Sequence, residues 1–289
     1  MIKRGSAPFL MYLPAIVMIF LITIYPLIFS LNLSFHKWII TRPQLGQPFV
    51  GLNNYISIIQ TPRFLNSLRV TFLFVVGAVA LEFIVGLGIA ILLRQSIPGM
   101  GILRSMIIIP MVIAPVVVGT MWRLLYDMDY GVINRLLGIV GLPSLPWIAE
   151  PQTALLSVII VDFWEWTPFM VVLLYAGLQT LPREPFEAAK IDGASPLQEF
   201  ICISLPLLKR VILIALILRI IEAFKTMDIV FIMTYGGPGT VTELISLYTY
   251  KVGFRFFTMG KAATLSFMIL IILLICSIPL IRVMRRGEI

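Results

Sequence analysis

Residues 70–93 read VTFLFVVGAVALEFIVGLGIAILL, and Glu82 is their single charged side chain. A helix needs about 20 mostly apolar residues to cross the roughly 30 Å hydrocarbon layer of a membrane. The stretch is long enough for one such crossing, and it lacks the polar face that a surface helix of a soluble domain presents to water. It predicts a transmembrane helix, and the rest of the sequence repeats the pattern.

Six stretches of this kind divide the chain and predict an all-α, polytopic membrane protein of about six transmembrane helices. They cover residues 9–33, 70–93, 103–125, 153–178, 210–233 and 260–281. An even number of crossings places both termini on one side of the membrane. Basic residues near the chain ends favour the cytoplasmic side for both termini; they are Lys3, Arg4, Arg282, Arg285 and Arg286. We expect one transmembrane domain over residues 1–289.

The composition excludes a soluble globular fold. The sequence is 60% hydrophobic and 12% charged, with a mean hydropathy of +1.02, whereas soluble domains are about 45–50% apolar and about 25% charged. The formal net charge of +8 lies in short segments between apolar stretches. There it is typical of membrane anchors and does not indicate binding of nucleic acid. The two cysteines, Cys202 and Cys276, offer no disulfide framework.

The fifth stretch carries four charges of alternating sign, three residues apart: Arg219, Glu222, Lys225 and Asp228. Each charge in the hydrocarbon layer costs about 2.5–3.5 kcal/mol on insertion scales, so four in one helix need partners or water. Residues three apart are neighbours on a helix, so the series could neutralise itself as a ladder between packed helices. Alternatively, some of these side chains face a translocation pathway. Both interpretations stay open.

The fourth stretch contains Asp162, Trp164, Glu165 and Trp166 near its middle. Carboxylates accept hydrogen bonds from sugar hydroxyls, and indole rings can cover the apolar faces of a pyranose. The patch is therefore a candidate contact for a sugar-like solute, although membrane tryptophans more often anchor a helix at the interface. The isolated acid Glu82 has two interpretations as well: a hydrogen bond between packed helices, or a position in a pore.

The polar loop at residues 184–205 predicts two short helices joined at a bend. Pro185 suits the first turn of a helix, and Gly193 can adopt the left-handed conformation that ends it. Ser195 before Pro196 caps a second helix start. On composition alone, this is a helical hairpin such as any connecting loop can contain.

The same loop resembles the EAA loop of binding-protein-dependent ABC importer permeases. Its Glu187-Ala188-Ala189 sequence is followed after three residues by Gly193, and after nine more by Ile203-x-Leu205-Pro206. The resemblance extends over most of the chain and points to the carbohydrate branch of maltose, trehalose and glycerol-phosphate importers. Further segments that carry it are Phe49-Val50-Gly51-Leu52-Asn53-Asn54-Tyr55 and Gly236-Gly237-Pro238 with Thr242-Glu243.

The resemblance implies a MetI-like permease fold, in which the loop docks as a coupling helix into a cytoplasmic ATPase. The residues to which it assigns ATPase coupling are Glu187, Ala188, Ala189, Asp192 and Gly193. The implied partners are a second homologous permease, two ATPase subunits, an extracytoplasmic solute-binding protein and membrane lipid. The implied location is the bacterial or archaeal plasma (inner) membrane, and the implied solute is a sugar or a related polyhydroxy compound.

Covalent catalysis is not expected of this chain. It has no phosphate-binding loop, because Gly260-Lys261 is followed by Ala262 where such a loop has serine or threonine. ATP and Mg²⁺ would therefore be bound by the partner ATPase. The single histidine, His36, supports neither a metal site nor a histidine relay, so we expect no catalytic residue, metal or cofactor here. The alternative function is an ion-coupled secondary carrier, for which we would expect an internal repeat; we see no convincing one.

Overall fold

A computed structural model of the protein describes residues 7–94 and 99–285. Most of these residues are helical, and extended pairing among them is limited to two isolated bridges. The prediction of an all-α fold is confirmed. The basic residues of the chain ends that lie outside the described residues are Lys3, Arg4 and Arg286.

The helices follow one another along the chain, and the connection between the second and third contains the short 3₁₀ helix Pro43–Leu45. They are α1 (Ala7–Ile19), α2 (Tyr25–Ser34), α3 (Asn53–Ile59), α4 (Pro62–Leu92), α5 (Met100–Val112), α6 (Pro115–Leu125), α7 (Val132–Ile139), α8 (Pro151–Gln179), α9 (Glu184–Ile191), α10 (Pro196–Glu199), α11 (Leu205–Lys225), α12 (Asp228–Met233), α13 (Ile245–Tyr250) and α14 (Met259–Arg285). Three π-helical turns, Phe20–Ile24, Phe200–Ser204 and Lys251–Arg255, continue α1, α10 and α13.

The described part of the chain contains five helical segments that are long and apolar enough to cross a membrane, and the bent pair of α5 and α6 makes a sixth. The five are Tyr12–Ser34, Pro62–Leu92, Pro151–Gln179, Pro196–Met233 and Met259–Met284. The prediction of about six spans is confirmed. No residue is buried in the most apolar part of the first span, so this part packs little against the rest of the described chain.

The third predicted span is not a straight helix, because α5 and α6 meet at 94°. Ile113 and Ala114 between them are extended, with ψ of 136° and 134°. Pro115 begins α6, and the ring of a proline pushes the preceding residue out of the helical region. The bend therefore follows from the position of this proline.

The fifth span is longer than predicted and contains two irregularities. Its first turn is α10, for which the sequence predicts a separate short helix, and the π-helical turn Phe200–Ser204 joins α10 to α11. Pro206 lacks an N–H group and interrupts the usual hydrogen-bond ladder, which explains the wider turn before it. At the other end, the non-helical Thr226 and Met227 separate α11 from α12.

The described residues form two compact units: residues 7–64 with 248–271, and residues 65–94 with 99–247 and 272–285. In the first unit, Asn54 donates hydrogen bonds to the backbone oxygens of Ser34 and His36, at 2.9 and 3.0 Å. These bonds hold the segment after the first span against α3.

The second unit is a bundle in which glycines bring helices into close contact. A Cβ atom on Gly86 of α4 would lie 2.8 Å from the Cβ of Met170 in α8. A Cβ on Gly177 of α8 would lie 2.8 Å from Cγ1 of Val211 in α11. Small residues allow helix backbones in membranes to approach in this way. The tight packing of α4, α8 and α11 positions the charged side chains described next.

Candidate functional site

The loop at residues 184–205 has the local geometry that its sequence predicts. Pro185 lies in the first turn of α9, and Gly193 ends that helix with φ of +74°. The Ser195 hydroxyl accepts a hydrogen bond from the N–H of Gln198, whose side chain accepts one from the N–H of Ser195 at 2.8 Å. This reciprocal pair fixes the start of α10. The bend between α9 and α10 is therefore locally determined.

One face of α9 is anchored and the other is exposed. Phe186 is buried, and the guanidinium carbon of Arg94 lies 4.9 Å from the centre of its ring. Glu187 and Ala188 are exposed on the outer face, where Ile191 is 86% exposed. The helix is thus held through Phe186, while Glu187, Ala188 and Ile191 lie on its accessible face.

Three helices of the second unit meet at a buried ion cluster of Glu82, Asp162 and Arg219, from α4, α8 and α11. All three side chains are fully buried. Arg219 Nε donates to Glu82 Oε2 at 2.6 Å, and Arg219 Nη2 donates to Glu82 Oε1 at 2.8 Å. Arg219 Nη2 also donates to Asp162 Oδ2. Glu82 is thus the partner of a cation in another helix and not an isolated acid.

The four charges of the fifth span do not form one continuous ladder. Arg219 pairs with α4 and α8, as described above, and not with Glu222. Lys225 Nζ instead donates to Glu222 Oε1 at 2.7 Å, and both side chains are about half exposed. Asp228 belongs to α12, beyond the helix break at Thr226. The self-neutralising ladder is therefore wrong for the span as a whole and holds for one pair.

The two tryptophans of α8 lie near the middle of the helix and have different neighbours. Trp164 packs edge-on against Trp122, with ring centres 5.7 Å apart. Trp166 lies against the ion cluster, with the guanidinium carbon of Arg219 5.0 Å from its ring centre. Such a contact of a cation with an indole face is favourable, particularly away from water. Trp166 therefore supports Arg219.

A cleft of about 270 Å³ opens beside the ion cluster in the second unit. Its lining includes Glu165, Trp166, Glu222, Lys225, Thr226 and Asp228. Thus the fold brings together five of the eight predicted pathway residues at one opening. Asp162 and Arg219 are buried, whereas Trp164 packs on Trp122. Glu165 is 1% exposed, and its Oε2 has no hydrogen-bond partner among the described residues.

The sequence profile of the family described as "Binding-protein-dependent transport system inner membrane component" matches residues 82–286. The chain belongs to this family of inner-membrane transport components. It is also 42% identical to "Probable ABC transporter permease protein y4oQ" of Sinorhizobium fredii, covering 95% of this chain and 89% of that protein. The permease is 38% identical to "Trehalose/maltose transport system permease protein MalF" of Thermococcus litoralis, covering 89% and 85% of the two chains.

The permease also shares its fold with a solved importer. It matches a chain of the crystal structure of a bacterial ABC transporter "involved in the import of the acidic polysaccharide alginate" with a TM-score of 0.86. The match covers 100% of this permease and 98% of that chain at 19% identity. The likeness is one of fold, and it confirms the predicted MetI-like importer-permease architecture.

The predicted hydrogen bond of Glu82 between packed helices is confirmed, whereas its partner Arg219 and the contact of Arg94 with Phe186 were missed in the sequence. A single acid in one apolar stretch and a single arginine deep in another are each costly alone, so pairing of Glu82 with Arg219 could have been proposed. The contact of Arg94 with Phe186 had no such signal, because both residue types are ordinary in membrane-flanking segments.

Proposed function

We propose that this permease is one of two membrane subunits of an ATP-driven importer for a sugar or related polyhydroxy solute. It pairs with a second, homologous permease, two ATPase subunits bind at the cytoplasmic side, and a solute-binding protein delivers the solute from outside. ATP and Mg²⁺ bind to the partner ATPase, and this chain catalyses no covalent chemistry itself. The name of the Thermococcus litoralis relative, a trehalose/maltose permease, supports the sugar assignment.

The observation that carries this proposal is the geometry of the loop at residues 184–205. Glu187, Ala188, Ala189, Asp192 and Gly193 lie on one short helix and its end, and all but Ala189 are exposed. Phe186 holds this helix to the membrane bundle through its contact with Arg94. To transmit movement, a helix between the ATPase and the bundle must be anchored on one face and accessible to the ATPase on the other. ATP-driven movement of the ATPases would then shift the bundle between inward-facing and outward-facing states.

The same loop supports a cytoplasmic position for this end of the bundle. Arg94 and Arg104 contact aromatic rings at the loop end of the second unit, Phe186 and Tyr175, at 4.9 and 4.7 Å. Clustered arginines beside a membrane helix favour the cytoplasmic side. With about six spans, both termini then also face the cytoplasm.

We assign the pathway residues in two groups. Glu165, Trp166, Glu222, Lys225 and Asp228 line the cleft and contact the passing solute. Asp162 and Arg219 act from behind it by holding α8 and α11 together, and Trp164 supports α8 through Trp122.

Native mass spectrometry tests the composition of the assembly. The chain is solubilised gently from its own membrane, and we expect a complex with one related permease and two copies of an ATPase. A lone chain or a homodimer that transports solute without an ATPase would contradict the proposal and favour an ion-coupled carrier.

Substitutions in the coupling loop test the coupling itself. Gly193 has φ of +74°, which proline cannot adopt, so Gly193→Pro should abolish ATP-driven uptake by the assembled transporter. Glu187→Lys should do the same by reversing an exposed charge of the docking face. The matched control is Gly101→Ala, because a Cβ on this helical glycine meets no atom within 4 Å. Normal uptake by both loop variants, in complexes of normal composition, would remove the coupling assignment.

A further inference from the structure

Two broken helices meet at the cleft. Pro115, which follows the bend between α5 and α6, and Thr226 and Met227, which separate α11 from α12, all line it. Irregular backbone at membrane depth persists only where it is buried in protein or lines a water-filled cavity. The Thr226 carbonyl, freed by the break, accepts a hydrogen bond from the Ser246 hydroxyl. The cleft therefore has the structure expected of a water-filled cavity at the junction of two interrupted helices.

The charges around this cleft are unbalanced. Three carboxylates line it, those of Glu165, Glu222 and Asp228, against the single ammonium group of Lys225. Lys225 is already paired with Glu222 at 2.7 Å, which leaves Glu165 and Asp228 as the excess. The guanidinium of Arg219 behind them is already bonded to Glu82 and Asp162, so it does not offset this excess.

The most buried of these carboxylates also lacks a hydrogen-bond donor. Glu165 lines the cleft while it is 1% exposed, and its Oε2 has no partner in the described part of the chain. A buried acceptor without a donor is costly, and it gains a bond when a ligand brings a hydroxyl or ammonium group. An anionic ligand group brings no such donor, and it would lie near the Asp228 carboxylate in a site of reduced dielectric constant, where repulsion is strong.

We propose that this cleft selects solutes by charge: it admits neutral or cationic polyhydroxy compounds and excludes acidic saccharides. The inference rests on the proposed function and narrows its solute class. The fold alone does not decide this property, since the importer of an acidic polysaccharide has a chain of the same fold. The side chains that line the cleft decide it.

A reporter cysteine in the cleft measures its electrostatic potential directly. The two native cysteines are replaced by Cys202→Ala and Cys276→Ala, and Thr226→Cys is introduced into the assembled complex in lipid nanodiscs. The reporter reacts with two methanethiosulfonates of similar size, one bearing a trimethylammonium group and one a sulfonate, and intact-mass measurement follows the rates. After each rate is divided by that for a free thiol in solution, we expect the cationic reagent to react at least about tenfold faster. Lys225 adjoins the reporter and would favour the anionic reagent, which makes the test stringent.

Neutralising variants identify the source of the potential. Asp228→Asn or Glu165→Gln should lower the rate ratio at least about threefold, and Lys225→Gln should raise it. A ratio at or below one, or a ratio that neither carboxylate variant changes, would overturn the proposal. So would a reporter that neither reagent reaches in an intact complex, since the cleft would then be dry. Met227→Cys serves as the reporter if the Thr226→Cys complex does not assemble. The labelling ratio decides only the charge selection, whereas the native complex composition decides the proposed function, so the two can fail separately.

Discussion

Replacing Arg219 by methionine should destabilise the permease far more than a comparable loss of charge at the cleft surface. Arg219→Met keeps much of the side-chain volume but leaves the Glu82 and Asp162 carboxylates buried without a cation. Three charged hydrogen bonds from the guanidinium disappear with it. Removing one partner of a buried ion pair costs about 3–5 kcal/mol, which corresponds to about two to four powers of ten in the unfolding equilibrium.

The matched control is Lys225→Met in the same span. Its partner is Glu222, and the two side chains are 54% and 45% exposed, so its loss should cost less than about 1 kcal/mol. Equilibrium unfolding by sodium dodecyl sulfate in mixed micelles measures both variants. If Arg219→Met and Lys225→Met lose similar stability, the structural role of the ion cluster is refuted.

A triple variant sharpens the same test. Glu82→Met, Asp162→Leu and Arg219→Met together remove all three charges and leave no buried ion without a partner. Apolar replacement of a complete buried ion cluster is often neutral or stabilising. The triple variant should therefore recover most of the stability that Arg219→Met loses. A triple variant as unstable as the single one would mean that packing, and not charge, explains the loss.

Two further predictions concern other parts of the second unit. Gly177→Ala places a Cβ 2.8 Å from Cγ1 of Val211 and should cost about 1–3 kcal/mol by overpacking. A Cβ on Gly88 of α4 meets no neighbouring atom within 4 Å, so Gly88→Ala should be nearly neutral in the same unfolding assay. Hydrogen bonds from backbone N–H groups, first that of Tyr130, lower the pKa of the exposed Asp127 carboxyl after α6. A lowered pKa means that the folded state favours the carboxylate. The stability difference between wild type and Asp127→Asn should therefore be constant near neutral pH and vanish on acidification through that pKa. A stability difference that grows in acid would contradict the assignment.

Local interactions determined what could be predicted from the sequence. Long apolar stretches made the spans recognisable, because a helix satisfies its own backbone groups and needs no distant partner to be predicted. The bend at Gly193 and the cap at Ser195 were predictable for the same reason, since a positive φ and a capping box depend on a few neighbouring residues. A proline within an apolar stretch allows a kink, but the 94° size of the bend at Pro115 could not be predicted from the sequence.

The sequence by itself thus determined the membrane location, the number of crossings and the local geometry of the loop at residues 184–205, while the tertiary structure alone decided the partners of the charges. The pairing of Arg219 with Glu82 and Asp162 joins residues from three helices and depends on how closely glycines let those helices approach. The cleft depends likewise on two breaks in separate spans that meet in space. Hydrophobic periodicity contains no information on such contacts between helices. The free energy of placing a charge in an apolar stretch is unfavourable wherever the charge lies, until packing supplies a partner for it.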